Sequence, residues 1–122
     1  MPEIRRILCP IDFSEFSASA YRHALSVAQH YRARLFVQHI VELYRYPSAS
    51  FAATAELYRQ FCQTLLENAE QELQEFLKEC VDHDIQPERV VEMGIAPDCI
   101  LAFAEAQRTD LIVMGTHGRR EF

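Results

Sequence analysis

Two short stretches place polar chemistry directly after apolar runs: "PIDFSEFS", residues 10–17, and "GTHGRR", residues 115–120. In the second, Gly115 and Gly118 bracket Thr116 and His117. Glycine has no Cβ to block a close approach, and it permits the positive φ that turns successive N–H groups into one concavity. Phosphate oxygens suit such a nest, and Arg119 or Arg120 adds a charge-assisted, two-pronged contact. A G-x-x-G pair alone is also what a plain turn leaving a buried strand looks like. In the first stretch, Asp12 ends an apolar run and Ser14 stands where a helix begins. Ser14 reads as the helix cap. Asp12 is open to two readings, a ligand contact or a capping role, because Asp12 and Glu15 have capping-box spacing.

Both stretches need elements to position them. Residues 4–11, 35–41, 88–93 and 110–114 are apolar or β-branched runs of strand length. The second and fourth are nearly continuous in apolar character, as strands covered on both faces are. Tyr21, Ala24, Leu25 and Ala28 form a helical stripe. A longer stripe runs through Leu57, Phe61, Leu65, Ala69, Leu73, Phe76 and Cys80, with Glu67, Glu70, Glu72, Glu75 and Glu79 on a solvated face. Ile100, Leu101 and Ala104 mark a third helix, with Pro97 in its first turn and Asp98 at its positive end. This β-α-β-α-β-α-β order predicts an α/β fold, an open parallel sheet with helices on both faces. Residues 42–56, "ELYRYPSASFAATAE", are expected to form a long, mobile connection. In such sheets ligands bind beyond the carboxyl ends of the strands, where strand order reverses.

Composition removes several function classes. The 122 residues carry a net charge of −6, whereas a diffuse phosphate-backbone binder is usually basic, so no nucleic-acid partner is expected. No apolar run approaches a membrane span, and the run after Arg5 and Arg6 is broken at Asp12, too early for a signal peptide. Cysteines 9, 62, 80 and 99 form no C-x-x-C pair and read as reduced thiols of a cytoplasmic protein. His23 and His30 share one helix without a third ligand, so no metal site is expected there. His39 reads as a strand residue with a satisfied hydrogen bond. There is no G-x-S-x-G elbow and no G-x4-G-K-[ST] loop.

"ILCPIDFSEFS" near the start, "VQHIVE" in the middle and "EMGIAPDCILAFAEAQRTDLIVMGTHGRR" near the end resemble the universal stress protein family, in spacing as well as residues. The resemblance spans nearly the whole chain, read as one domain over residues 1–122. It implies a Rossmann-like sheet, similar to that of the adenine nucleotide alpha hydrolases, with strand order 3-2-1-4-5. The fifth strand is absent from this chain, which leaves 3-2-1-4. The resemblance also implies an ATP site, with Mg as the accompanying cation, at the switch point between strands one and four. Carried over by position, Pro10, Ile11 and Asp12 border the nucleoside, with Asp12 hydrogen-bonded to it. The backbone of Ile40 meets the adenine edge, and Met114 borders the base or sugar. Gly115, His117, Gly118 and Arg119 hold the phosphates. The family's phosphate signature is G-x2-G-x9-G followed by Ser or Thr; the first two glycines are present, and the third falls after Phe122.

The leading expectation is a cytoplasmic stress-response module that binds ATP and acts through nucleotide-dependent conformation or association. The competing expectations are a dimeric interaction protein of the same fold without nucleotide, and a slow nucleotide hydrolase. No carboxylate or His is clearly placed as a base toward an attacking water, although Asp12 stays open to that role. The resemblance implies a homodimer in which the fifth strand takes part. Without that strand, the fourth becomes an exposed edge and favours other self-association.

Overall fold

The computed structural model describes residues 3–45, 54–80 and 85–115. Strand β1 (Arg6–Pro10) leads into helix α1 (Glu15–Tyr31), and β2 (Arg34–Val41) into a short 3-10 turn (Leu43–Arg45). Helix α2 (Ala55–Cys80), β3 (Glu88–Met93), α3 (Ala96–Ala106) and β4 (Leu111–Ile112) follow. The strands form one parallel sheet in the order β3-β2-β1-β4, as the family resemblance implied. Of the long connection expected over 42–56, residues 46–53 lie outside the described residues.

Alternation along β1 and β2 sends side chains to two cores, which is why those runs are mostly apolar. Ile7, Cys9, Leu35 and Val37 face Tyr21, Ala24 and Ala28 of α1 and Leu73 and Leu77 of α2. Leu8, Phe36 and Ile40 face Ile100 of α3, with Phe103 edge-on to Phe36 at 5.3 Å between ring centroids. Burial pushes the Cys9 thiol up to about 12, so it stays protonated and inert inside the first core. Only the second half of α2 is buried, at Ala69, Leu73 and Leu77, whereas Leu57 and Tyr58 are exposed. Length explains this. A 26-residue helix runs about 39 Å, and the eight-residue β2 about 26 Å, so the first turns of α2 overhang the sheet.

One boundary agrees with the sequence reading and one differs. The cap of α1 is Ser14, whose Oγ accepts from Ser17 N–H at 3.1 Å. Asp12, left open between a capping and a ligand role, ties its Oδ1 to that cap, accepting from Ser14 N–H at 3.0 Å and Ser14 Oγ–H at 2.5 Å. Strand β4 is two residues long where five were expected. At its start the Asp110 carboxylate caps the neighbouring strand, with Oδ2 accepting from Arg5 N–H at 2.8 Å and Arg6 N–H at 3.0 Å. At its other end the ladder has no donor to continue with, because the next β1 peptide facing β4 belongs to Pro10.

The two backbone N–H bonds, that from Arg5 foremost, hold the Asp110 carboxyl below its ordinary 3.8. A depressed carboxylate stabilises the fold above its unfolded value, and the contribution is lost as pH falls through the lower folded value. Urea unfolding is therefore expected to show Asp110→Ala less stable than wild type at pH 7. The gap should narrow once pH drops below about 3.8. A gap that stays constant to pH 2 would show that the carboxylate's charge is not what joins β4 to β1.

Candidate functional site

A cleft of about 150 Å³ opens at the carboxyl ends of β1, β2 and β4. Pro10, Ile11, Asp12, Ile40, Met114 and Gly115 all line it, so six of the nine residues singled out in the sequence meet in one place. The other three, His117, Gly118 and Arg119, lie outside the described residues.

The cleft exists because β1 stops pairing on both sides. Peptide groups alternate along a parallel strand. Arg6 and Leu8 offer their carbonyls toward β4, to Asp110 N–H at 2.8 Å and Val113 N–H at 2.9 Å. Pro10, next in that series, has no N–H, and β4 is free to diverge. On the other side, Ile11 N–H donates to Gln38 O at 2.8 Å, and the β1–β2 register ends at Pro10 and Gln38. By the same alternation, Ile40 turns its N–H and C=O toward β1 but beyond its end, over the cleft. Among the described residues neither group has a backbone partner.

Asp12 is held in place by its bonds to Ser14, and Phe13 turns the chain through a left-handed conformation, φ 68°. That conformation is costly for an aromatic residue and persists where packing over-determines it. Here the Phe13 ring lies 4.3 Å from the His39 ring and 5.5 Å, edge-on, from Phe76 of α2. His39 is bonded as expected, through Nδ1 to Ile11 O at 2.7 Å.

Several lining residues were not anticipated. Ser17, Ala96 and Ile100 join the wall, and Gln38 lies beneath it, fully buried. The Gln38 Nε2 donates to Glu92 Oε2 at 2.9 Å and Cys99 O at 3.2 Å, while its Oε1 has no partner among the described residues. A Gln within the mostly apolar run of β2 was the available signal. Glu42 gave none: buried, it reaches across to accept from Ala96 N–H and Tyr44 O–H, both at 3.1 Å. It thereby caps α3, whose own N-cap residue, Ile95, supplies no side-chain acceptor.

The universal stress protein family model matches residues 3–122. The chain belongs to the universal stress protein family. Universal stress protein MJ0531 of Methanocaldococcus jannaschii is 26% identical over 115 residues, covering 94% of this chain and 66% of that protein. Universal stress protein MJ0577 of the same organism is 22% identical over 94% of this chain and 78% of its own length. The solved structure of MJ0577 shares the fold with a TM-score of 0.80, covering 99% of this chain and 81% of that one at 24% identity. Two more distant structures share it and hold an adenine nucleotide. One is a universal stress protein in complex with cAMP (TM-score 0.57, 16% identity, 91% and 72% coverage). The other is a family protein from Arabidopsis thaliana with AMP bound (TM-score 0.52, 16% identity, 94% and 78% coverage).

The glycine that opens this family's G-x-x-G pair here has a packing role of its own. A Cβ on Gly115 would lie 2.7 Å from the carbonyl carbon of Phe16, 2.8 Å from its oxygen and 2.9 Å from its Cβ. The first two are backbone atoms in the first turn of α1, and the Cβ is fixed to that backbone, so none can swing aside. Gly115→Ala is expected to cost about 1–3 kcal/mol, as overpacking does. Urea unfolding checks this; a midpoint equal to wild type would mean that α1 yields at no cost.

Proposed function

We propose that this universal stress protein binds an adenine nucleotide in the cleft, ATP accompanied by a divalent cation, and acts as a cytoplasmic regulatory module. The observation that carries the reading is the backbone of Ile40, without a partner among the described residues, at the rim of a ring-sized cleft. A 150 Å³ space suits an aromatic ring rather than a whole nucleotide. The Ile40 N–H and C=O offer one donor and one acceptor to a base edge. Adenine presents the complement, a ring nitrogen acceptor beside an amino donor. The family relatives with bound cAMP and AMP support the same ligand class.

Each residue then has a distinct part. Pro10 and Ile11 form the floor under the base, Met114 covers it, and Asp12 accepts from a sugar hydroxyl. The sugar and phosphates lie outside the ring-sized space, toward Gly115, with His117, Gly118 and Arg119 as the phosphate clamp. Among the described residues no three His, Cys, Asp or Glu side chains converge as a cation cage, so the cation arrives on the phosphates. No helix among the described residues is long and apolar enough to cross a membrane. Among the described residues strand β4 pairs on one side only, and self-association, as a homodimer, would cover its other edge.

Calorimetric titration of the full chain with Mg-ATP tests the proposal. Binding is expected below millimolar nucleotide, and no heat at that concentration would overturn it. Asp12→Asn keeps an acceptor for Ser14 N–H and removes the charge, so the fold should persist while affinity falls about tenfold or more. Gly118→Val should weaken ATP more than adenosine, which has no phosphate to clash. Equal losses for the two ligands would remove Gly118 from the phosphate site.

A further inference from the structure

The end of the β1–β2 ladder is one hydrogen bond short of what its geometry permits. Since Ile11 N–H donates to Gln38 O at 2.8 Å, the next bond of a regular parallel ladder would run from Ile40 N–H to Ile11 O. It is not formed: pairing stops at Pro10 and Gln38. Ile11 O accepts instead from His39 at 2.7 Å. A carbonyl only accepts, so His39 Nδ1 carries the hydrogen.

Occupancy alone would not exclude Ile40, because a carbonyl oxygen has two lone pairs. Orientation does. His39 alternates with Leu35 and Val37, so its side chain projects to the α1/α2 face, where Phe13 packs against the same core. To meet that imidazole the Ile11 carbonyl must tilt out of the sheet plane and away from Ile40 N–H. Phe13, 4.3 Å from the imidazole and backed by Phe76, keeps the ring from swinging out.

We propose that His39 is a positioning residue that holds the Ile11 carbonyl out of the β1–β2 ladder and so keeps Ile40 N–H available to an acceptor on the ligand's base. The ladder half stands on this chain's own hydrogen bonds; the ligand half rests on the nucleotide reading above.

Amide hydrogen exchange on the full chain tests the ladder half without ligand. In free wild type, Ile40 N–H is expected to exchange about tenfold or more faster than Gln38 N–H, which is paired within the ladder. An Ile40 amide as slow as Gln38 overturns the proposal with no variant needed. In His39→Leu the carbonyl is released and the ladder closes, slowing Ile40 by about twofold to tenfold. His39→Asn, which returns an N–H near the Nδ1 position, should exchange as wild type does. A folded His39→Leu with unchanged Ile40 exchange also overturns it. For the ligand half, adenosine is compared with 1-deazaadenosine, which lacks the N1 acceptor. Wild type should prefer adenosine by about fivefold, and His39→Leu should lose that preference. A preference that survives in His39→Leu, or is missing from wild type, refutes the link between His39 and the ligand. Binding of neither nucleoside by wild type overturns the nucleotide reading, while the exchange rates still decide the ladder.

Discussion

Strand β1 is flanked on both sides, by β2 along its length and by β4 at Ile7 and Leu8, and neither ladder register continues past Pro10; the site follows from that one constraint. Toward β4 the ladder stops because Pro10 has no hydrogen to give. Toward β2 it stops because the Ile11 carbonyl is turned to His39. The order β3-β2-β1-β4 makes the consequence large. The chain leaves β1 toward α1 and β2 on one side, and enters β4 from α3 on the other. No connection therefore bridges the two carboxyl ends, and a crevice is left there. In the middle of a sheet, a missing N–H would be a defect. At a strand end beside a topological switch, it leaves room for a ligand.

The same constraint explains why the neighbouring polar groups are so firmly tied. Asp12 follows directly after the last paired peptide, where an untethered carboxylate would swing freely. Its bonds to Ser14 fix it to a helix start, and Ser14 is fixed in turn by Ser17 N–H. The left-handed Phe13 between them is strained, and its ring is wedged between β2 and α2 through His39 and Phe76. Rigid support of this kind is what a binding group needs, since ordering entropy is then lost on folding rather than on binding.

Much of this was legible in the sequence, for physical reasons that differ by element. The nearly continuous run of β2 revealed burial on both faces, whereas the similar run at 110–114 is only half-buried in β4; the stripe through Tyr21, Ala24 and Ala28 located α1. The α2 stripe, by contrast, overstated burial, because periodicity reports which face is apolar and not how far the sheet beneath it extends. The length of β4 was misread for a related reason: "DLIVM" has strand character, but pairing is set by the partner, and Pro10 withholds it. Asp12 and Gly115 were found through motif spacing. What spacing left open was whether Asp12 serves the helix or a ligand, and in the structure it is bonded to Ser14 while still lining the cleft. Glu42 was illegible, since nothing local ties it to a helix start 54 residues away. The His39 bond to Ile11 was anticipated only as a bond of some kind, because its partner depends on a register that one strand's sequence does not contain.

Electrostatics narrows where an anion would be held. Helix N-termini are the usual attraction for phosphate, and two of them, those of α1 and α3, face this cleft. Each is already served by the chain's own groups. At α1, Ser14 satisfies Ser17 N–H, and Glu15 places a carboxylate in the first turn. At α3, Glu42 accepts from Ala96 N–H, and Asp98 sits in the first turn. A phosphate brought to either end would meet a resident negative charge. The chain as a whole, at −6, offers no compensating field. In the proposed complex the attraction must therefore come from the segment beginning at Gly115, through its peptide N–H groups and Arg119, and from the cation carried by the nucleotide. Base recognition and phosphate recognition are then separable. In that proposal the first would rest on the ends of β1 and β2, and the second on a short segment and an ion that arrives with the ligand.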